Sequence, residues 1–385
     1  MASLSSAIGS MPLPDLNLPS TSTSNVCELW AVDTTADIVC PSGTLIEPNI
    51  KGHEYLNLPT FAFLVHNKAL DKRILFDNGA RKDWWNAPPS MSKSIYRTAG
   101  VRVEKDVFDV LATGGLDPSS ISAVVWSHWH WDHVGNIQRF PKSTDLVVGP
   151  GFRKDFLPGH PTNPDAFFYD ADFKGRNLIE LTFSVDSPRI GRFQAHDYFG
   201  DGSFYILFTP GHTASHLGAL VRTTPDTFAF LGADMAHFPG MYRPTQYVPM
   251  PETLPTETKL DPRYHHPCPC SIFTACHDDP ANARTKPFYH ISQRPESWFE
   301  DAQVAQSSVD ALADFDASEN VFVAVAHDPA LKEVIDIFPR SMTDWKAKSW
   351  AQQSHWHFVN ELPVDGKPGR PLLVDGHYVE GKLRN

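Results

Sequence analysis

Four metal-ligating side chains stand within six residues, in His128-Trp129-His130-Trp131-Asp132-His133, and no other feature limits this chain so tightly. At the chain's own residue frequencies the spacing H-x-H-x-D-H would arise by chance roughly 0.003 times. Neutral imidazole and carboxylate are the donors that zinc takes, and also iron and manganese. The apolar run 121–126 (ISAVVW) leads straight into the motif and predicts a short strand. At a strand end alternate residues point the same way, so His128 and His130 can face one ion together. If the chain then turns, Asp132 and His133 face a second position nearby. One cluster cannot close two sites, so further donors must come from elsewhere in the chain.

Three later segments offer them. Thr209-Pro210-Gly211-His212-Thr213 follows the apolar run 204–208, and Pro-Gly makes a tight turn that presents His212. Gly232-Ala233-Asp234 follows the run 228–231, and Val325-Ala326-His327-Asp328-Pro329 follows 321–325. His277, in Ala275-Cys276-His277-Asp278, competes with His327, which is favoured because a strand feeds it. Runs 58–65 and 73–76 read as buried strands joined by the polar turn 66–72. Residues 103–111 have helical spacing that Gly114-Gly115 ends. The fold class is therefore α/β, with functional residues at strand ends.

Residues 1–25, dominated by Ser, Thr and Pro, predict a disordered tail. A single catalytic domain is expected over 26–362. Within it 238–320, rich in Pro and aromatics with a helical stretch at 295–315, reads as an insertion that covers the site. A turn-rich extension follows over 363–385. The 33 Lys and Arg against 45 Asp and Glu give a net charge of −12 with no basic block, which speaks against a nucleic-acid partner. The apolar runs are too short to span a bilayer, and the first 25 residues lack the pattern of a secretory signal, so no membrane partner is expected. Five cysteines argue for a reducing compartment, and a cytoplasmic location is the expectation. Cys268-Pro269-Cys270 beside His265 and His266 could hold another metal, but it lacks a fourth ligand at suitable spacing.

The order of motifs over about residues 58–329 resembles the metallo-β-lactamase-fold hydrolases, and among them the lactonase-like branch with its fungal members. That resemblance implies an αββα sandwich with a metal site at one edge of its two sheets, the insertion following the bridging Asp. It implies that His128, His130 and His212 hold a first metal, that Asp132, His133 and His327 hold a second, and that Asp234 bridges them. Two zinc ions are expected, with iron or manganese as alternatives. Asp77, in Leu75-Phe76-Asp77-Asn78-Gly79, matches the buried acid that orients a ligand histidine, and His216 matches a second histidine behind the site.

The activity implied is hydrolysis of a small lactone or lactam by a hydroxide shared between two metals, with Asp132 managing the proton. A small-molecule substrate is the expected partner, and a homodimer is an open expectation. Phe238, Met241, Tyr242 and Tyr247 are expected to wall the substrate ring. His237 stands where the bacterial lactonases of this resemblance carry a Tyr. Its imidazole could hydrogen-bond the carbonyl or protonate a leaving amide nitrogen, which would suit a lactam. Two rivals share the fold. A thioesterase would need a basic rim, for which Arg243 and Lys259 are the candidates, and a sulfur dioxygenase would keep a single iron.

Overall fold

Strands buried on both faces read as continuous apolar runs and not as alternating ones. The run Leu58-Pro59-Thr60-Phe61-Ala62-Phe63-Leu64-Val65 is of that kind. The computed structural model describes residues 11–20 and 25–384. In chain order the strands are β1 (Glu28–Pro41), β2 (Ile46–Glu47), β3 (Tyr55–Asn67), β4 (Lys72–Phe76), β5 (Gly100–Val103), β6 (Ile121–Val125), β7 (Asp145–Val148) and β8 (Leu178–Glu180). They continue with β9 (Arg189–Ile190), β10 (Phe193–Asp197), β11 (Phe204–Phe208), β12 (Leu217–Thr224), β13 (Thr227–Ala233), β14 (His290–Ile291), β15 (Val321–Val325), β16 (His377–Val379) and β17 (Lys382–Arg384). One sheet has the order β17-β16-β5-β1-β3-β4-β6-β7-β8 and the other β15-β13-β12-β11-β10-β9, while β14 and β2 form a short ribbon.

The two sheets pack face to face. Leu29, Phe61, Phe63, Val65 and Phe76 of the first meet Ile206, Leu217, Val221, Leu231 and Phe322 of the second in one buried cluster. Each such side chain contributes about 1.5–3 kcal/mol by leaving water. The alternate residues point outward. Leu64 and Leu75 pack with Met91 and Ile95 of the helix Pro89–Ile95 and with Val107 and Leu111 of the helix Val107–Thr113. On the far side, Phe230 and Val323 meet Ala305, Val309, Leu312 and Phe315 of the helix Ala302–Asp316. Helix, sheet, sheet, helix is the layering that results.

Three boundaries differ from the sequence reading. The helix expected at 295–315 begins at Ala302, where the Asp301 side chain accepts from the Gln303 and Val304 N–H groups. It is an outer layer of the sandwich and not part of a cover, so the segment between the layers is 234–301. The extension after residue 363 pairs with the first sheet, where the Val101 N–H donates to the Gly376 carbonyl (3.0 Å) and β16 and β17 form an edge hairpin. Within residues 11–20, expected to be disordered, Leu16, Leu18 and Pro19 lie against the body. Leu16 is 6% exposed, its carbonyl accepts from Gly191 N–H (2.6 Å), and Pro19 accepts from the Arg222 guanidinium. The rest of the expected tail, apart from Asn25, lies outside the described residues. No helix among the described residues is long and apolar enough to cross a membrane.

The ends of β4, β6, β11, β13 and β15 meet at one edge of the sandwich, and backbone bonds hold the sheets together there. Leu217 N–H of the second sheet donates to Ser127 (2.8 Å), beyond β6, and Phe61 N–H of the first donates to Ala326 (2.9 Å), beyond β15. Leu16→Asp should destabilise the chain by about 1.5–3 kcal/mol, the burial of one leucine, read as a lower melting temperature with unchanged metal content.

Candidate metal centre

The strand β6 ends at Val125, and Ser127 and His128 follow at the seam. The chain turns at His130 into the short helix Trp131–Val134, which brings Asp132 and His133 back beside it. Gly135 permits this turn: its φ is +51°, and a Cβ there would lie 2.2 Å from the Asn78 carbonyl oxygen. Asp77, at the end of β4, has φ +64°, a left-handed conformation that Asp tolerates better than most residues. Its carboxylate accepts from the Ser127 N–H (2.7 Å), the Ser127 hydroxyl (2.9 Å) and His133 Nδ1 (2.8 Å). With Nδ1 donating to Asp77, His133 in its neutral form turns the Nε2 lone pair into the site.

All seven expected ligands are buried, and they fall into two groups that share Asp234. His128, His130, His212 and Asp234 form one, Asp132, His133, Asp234 and His327 the other, and within each the donor atoms lie within 4.8 Å of one another. The two oxygens of Asp234 divide between them. Oδ2 lies 3.7 Å from His128 Nε2 and 3.4 Å from His212 Nε2. Oδ1 lies 3.0 Å from His133 Nε2 and 3.1 Å from His327 Nε2. The second carboxylate, Asp132, lies 3.7 Å from His133 and 3.5 Å from His327.

Electrostatics says what this arrangement lacks. With His133 neutral, its Nε2 and Oδ1 of Asp234 are two buried acceptors facing each other across 3.0 Å with no other hydrogen-bond partner. Two lone-pair donors on one zinc ion, each about 2.0–2.1 Å from it at the tetrahedral angle, stand about 3.3 Å apart, so the donor set fits a cation. Burial holds His128 and His130 well below their ordinary pKa and His212 down to about 4, which keeps them as neutral ligands. Burial alone would also lower His133 and His327, but the Asp234 carboxylate lifts both, helped at His133 by Asp77 and Asp132 and at His327 by Asp132. Burial would raise Asp234, and its imidazole neighbours hold it well below the carboxylate range. Among the described residues no Lys or Arg pairs with Asp77, Asp132 or Asp234, so the compensating positive charge falls to protonated imidazoles or to bound ions.

The supporting residues are set from behind. His327 Nδ1 lies 3.3 Å from the Pro59 carbonyl oxygen. His216 spends both nitrogens: Nδ1 meets the Thr209 hydroxyl (2.8 Å) and Nε2 accepts from the Asp234 N–H (3.2 Å). It therefore fixes the backbone of Asp234 and is not itself a donor to the site. The rival His277 lies elsewhere, accepting from Asp279 N–H (2.9 Å) and facing two backbone carbonyls. The thiols of Cys268 and Cys270 are buried among apolar side chains, burial raises both, and Cys270 is pushed up to about 12.

A small, half-open cavity lies over the two groups. His237 lines it, with Nε2 3.0 Å from Asp234 Oδ2 and its ring stacked on His327. The expected apolar wall is misplaced. Phe238 packs against His53, Tyr289 and Phe358, and Met241 and Tyr242 are buried in the same core. Neither these three nor Tyr247 lines the cavity, because the chain after His237 turns at once into the interior. The wall is made instead by Ile38 and Cys40 of β1, Leu45, Leu58 of β3, Thr98, Trp131 and Trp298. Nothing local in the sequence marks the first four. Trp131, inside the ligand motif, and Trp298, in a segment already read as cover, carried a signal.

The chain belongs to the metallo-β-lactamase superfamily, whose family model matches residues 59–232. It is a metal-dependent hydrolase of that superfamily. Over 365 residues it is 37% identical to the γ-lactamase FDB1 of Fusarium pseudograminearum, covering 91% of this chain and 87% of that one. Over 243 residues it is 40% identical to the γ-lactamase MBL2 of Gibberella moniliformis, 62% of this chain and all of that one. In fold it is similar to a mutant of AiiA from B. thuringiensis with N-decanoyl-L-homoserine bound at the active site. There the TM-score is 0.53 at 15% identity, over 82% of this chain and 99% of that chain.

Because Asp77 sets the ring of His133, Asp77→Ala should lower metal affinity about 10–100-fold, measured by competition with a chelator. Unchanged affinity would show that packing alone holds the ring.

Proposed function

We propose that the chain opens a small five-membered cyclic amide, with the matching cyclic ester as a second substrate, at a centre of two zinc ions. The observation that carries this reading is the division of Asp234, one oxygen facing each donor group on the floor of a walled cavity. The names of the γ-lactamase relatives support the amide ring. His128, His130 and His212 would hold one ion, Asp132, His133 and His327 the other, with Asp234 shared; iron or manganese would suit the same donors. Such a pair, when bound, polarises a carbonyl and brings the pKa of water from ~15.7 to ~7.

The chain's own residues supply the rest. Ile38, Leu45, Leu58 and Trp298 hold the ring against the site and keep bulk water out. Asp132, buried and raised by that burial, is placed to take the proton of the attacking water. Opening a lactam breaks the ring C–N bond, and the nitrogen leaves poorly without a proton. His237, facing the same cavity, is the donor placed to provide it. The products are a carboxylate and an amine on one chain.

Two observations weigh against the rivals. Arg243 is no rim cation, being buried with Nε 2.9 Å from Asp316, and neither it nor Lys259 lines the cavity, so a thioesterase lacks its anchor. The second donor group is as fully assembled as the first, which a site for a single iron would not need.

Elemental analysis of the zinc-loaded chain should give two ions, and a ring-opening assay over γ-lactams, γ-lactones and thioesters should favour the lactams. One ion after full loading would overturn the dinuclear centre. Asp234→Ala should lose at least one ion and most of the turnover. A fully loaded, fully active variant would refute its bridging role. His237→Ala should keep both ions and lower turnover ~10²–10⁴-fold, the range for a positioned acid or base, with the greater loss on a lactam than on a lactone of equal ring size. Equal losses would reduce His237 to an orienting group.

A further inference from the structure

Trp298, Phe299 and Glu300 each meet a ligand of the first donor group, and Asp301 meets Gly211 beside one of them. Trp298 stands edge-on to His130 with ring centres 5.4 Å apart, and Phe299 edge-on to His212 at 4.8 Å. Glu300 then does what neither ring does. Its Oε1 accepts from the Trp129 indole N–H (2.9 Å), and its Oε2 accepts from the Ala214 backbone N–H (2.6 Å). Trp129 lies between the ligands His128 and His130, on the loop that leaves the first sheet. Ala214 lies two residues beyond His212, on the loop that leaves the second.

The backbone of the segment is itself anchored. Glu300 N–H donates to the His212 carbonyl (3.1 Å) and Asp301 N–H to Gly211 (3.0 Å), while Asp301 caps the outer helix. Gly211 is pressed so close to that helix that a Cβ would stand 2.2 Å from Ala305 N. The His212 loop is thus fixed to the second sheet's outer layer, and the Glu300 side chain reaches across to the other loop. The closeness it spans is visible in the ligands, where His130 Nδ1 and His212 Nε2 are 2.8 Å apart. The second group is set by other means, His133 by Asp77 and His327 by the Pro59 carbonyl.

We propose that Glu300 is a positioning residue for one ion only, a carboxylate clasp that sets the spacing between the His128–His130 loop and the His212 loop. The proposal rests on the two-ion reading above. Glu300 is exposed, so truncating it opens no cavity in the core. The test is a zinc titration against a competing chelator, run on stripped wild-type chain and on Glu300→Ala, Glu300→Gln and Trp129→Phe. His212→Ala and His327→Ala identify which ion belongs to which group.

Glu300→Ala should weaken the ion lost in His212→Ala by about 10–100-fold and leave the other unchanged. Glu300→Gln, with one acceptor oxygen left, should fall between. Trp129→Phe should weaken the same ion, and adding Glu300→Ala to it should cost less than the two separate losses combined. The melting temperature of the stripped Glu300→Ala chain should stay within about two degrees of wild type, as for a surface change. Equal weakening of both ions, no weakening, or a large fall in the stripped chain's melting temperature would overturn the clasp. A wild-type chain that takes one ion overturns the dinuclear reading. Glu300 is then judged on that ion, supported if it is lost in His212→Ala and weakened in Glu300→Ala, and overturned otherwise.

Discussion

Three carboxylates, Asp77, Asp132 and Asp234, are buried where the two sheets meet, with imidazoles around them and no Lys or Arg ion pair among the described residues. Burying charge is expensive unless it is matched, and that demand shapes everything near the seam. Asp77 is matched by three donors from Ser127 and His133. Asp132 and Asp234 find imidazole nitrogens, two of them held fast from behind by Asp77 and Pro59. Backbone strain is accepted for the same end. Asp77 and Ala233, the latter just before Asp234, both sit at positive φ, a conformation with a cost of order 1–3 kcal/mol that the surrounding fold over-determines.

The donors were legible because their signal is local. An apolar strand followed by a His or Asp within four residues needs no knowledge of the rest of the chain, and His128, His212, Asp234 and His327 all obey it. Asp77 was legible through the same grammar, aided by the resemblance. The wall of the cavity was not. Ile38, Cys40 and Leu58 are ordinary strand residues whose role depends on which sheet edge faces the site, a tertiary fact without a local trace. Phe238, Met241 and Tyr242 misled because aromatic residues after a ligand serve a core as readily as a pocket. Leu16 was hidden in a segment whose composition reads as disorder, and Glu300 among exposed carboxylates that usually do little.

The segment between β13 and the outer helix is part of the domain and not a loose cover. Arg243 meets Asp316 at the end of that helix through two bonds (2.9 and 2.5 Å) and donates to the His355 carbonyl (3.0 Å), so three distant stretches share one buried guanidinium. Removing one partner of such a pair typically costs 3–5 kcal/mol. Trp298, which walls the cavity, is held on its other side by the Arg97 guanidinium, 4.0 Å from the ring centre. A wall built this way presents a fixed shape.

The Asp77 carboxylate and the His327 ring are separated by 250 positions of chain, and the loops that bear the donors leave both sheets. A site so composed needs both sheets in place, so a fragment that lacks either sheet cannot hold it. Ions that bind there stabilise the folded chain by mass action, about 4.1 kcal/mol for each site at a thousandfold excess over its dissociation constant. Metal supply thereby becomes a term in how long each molecule survives, because the metal-free chain unfolds more readily and the unfolded chain is what proteases cut.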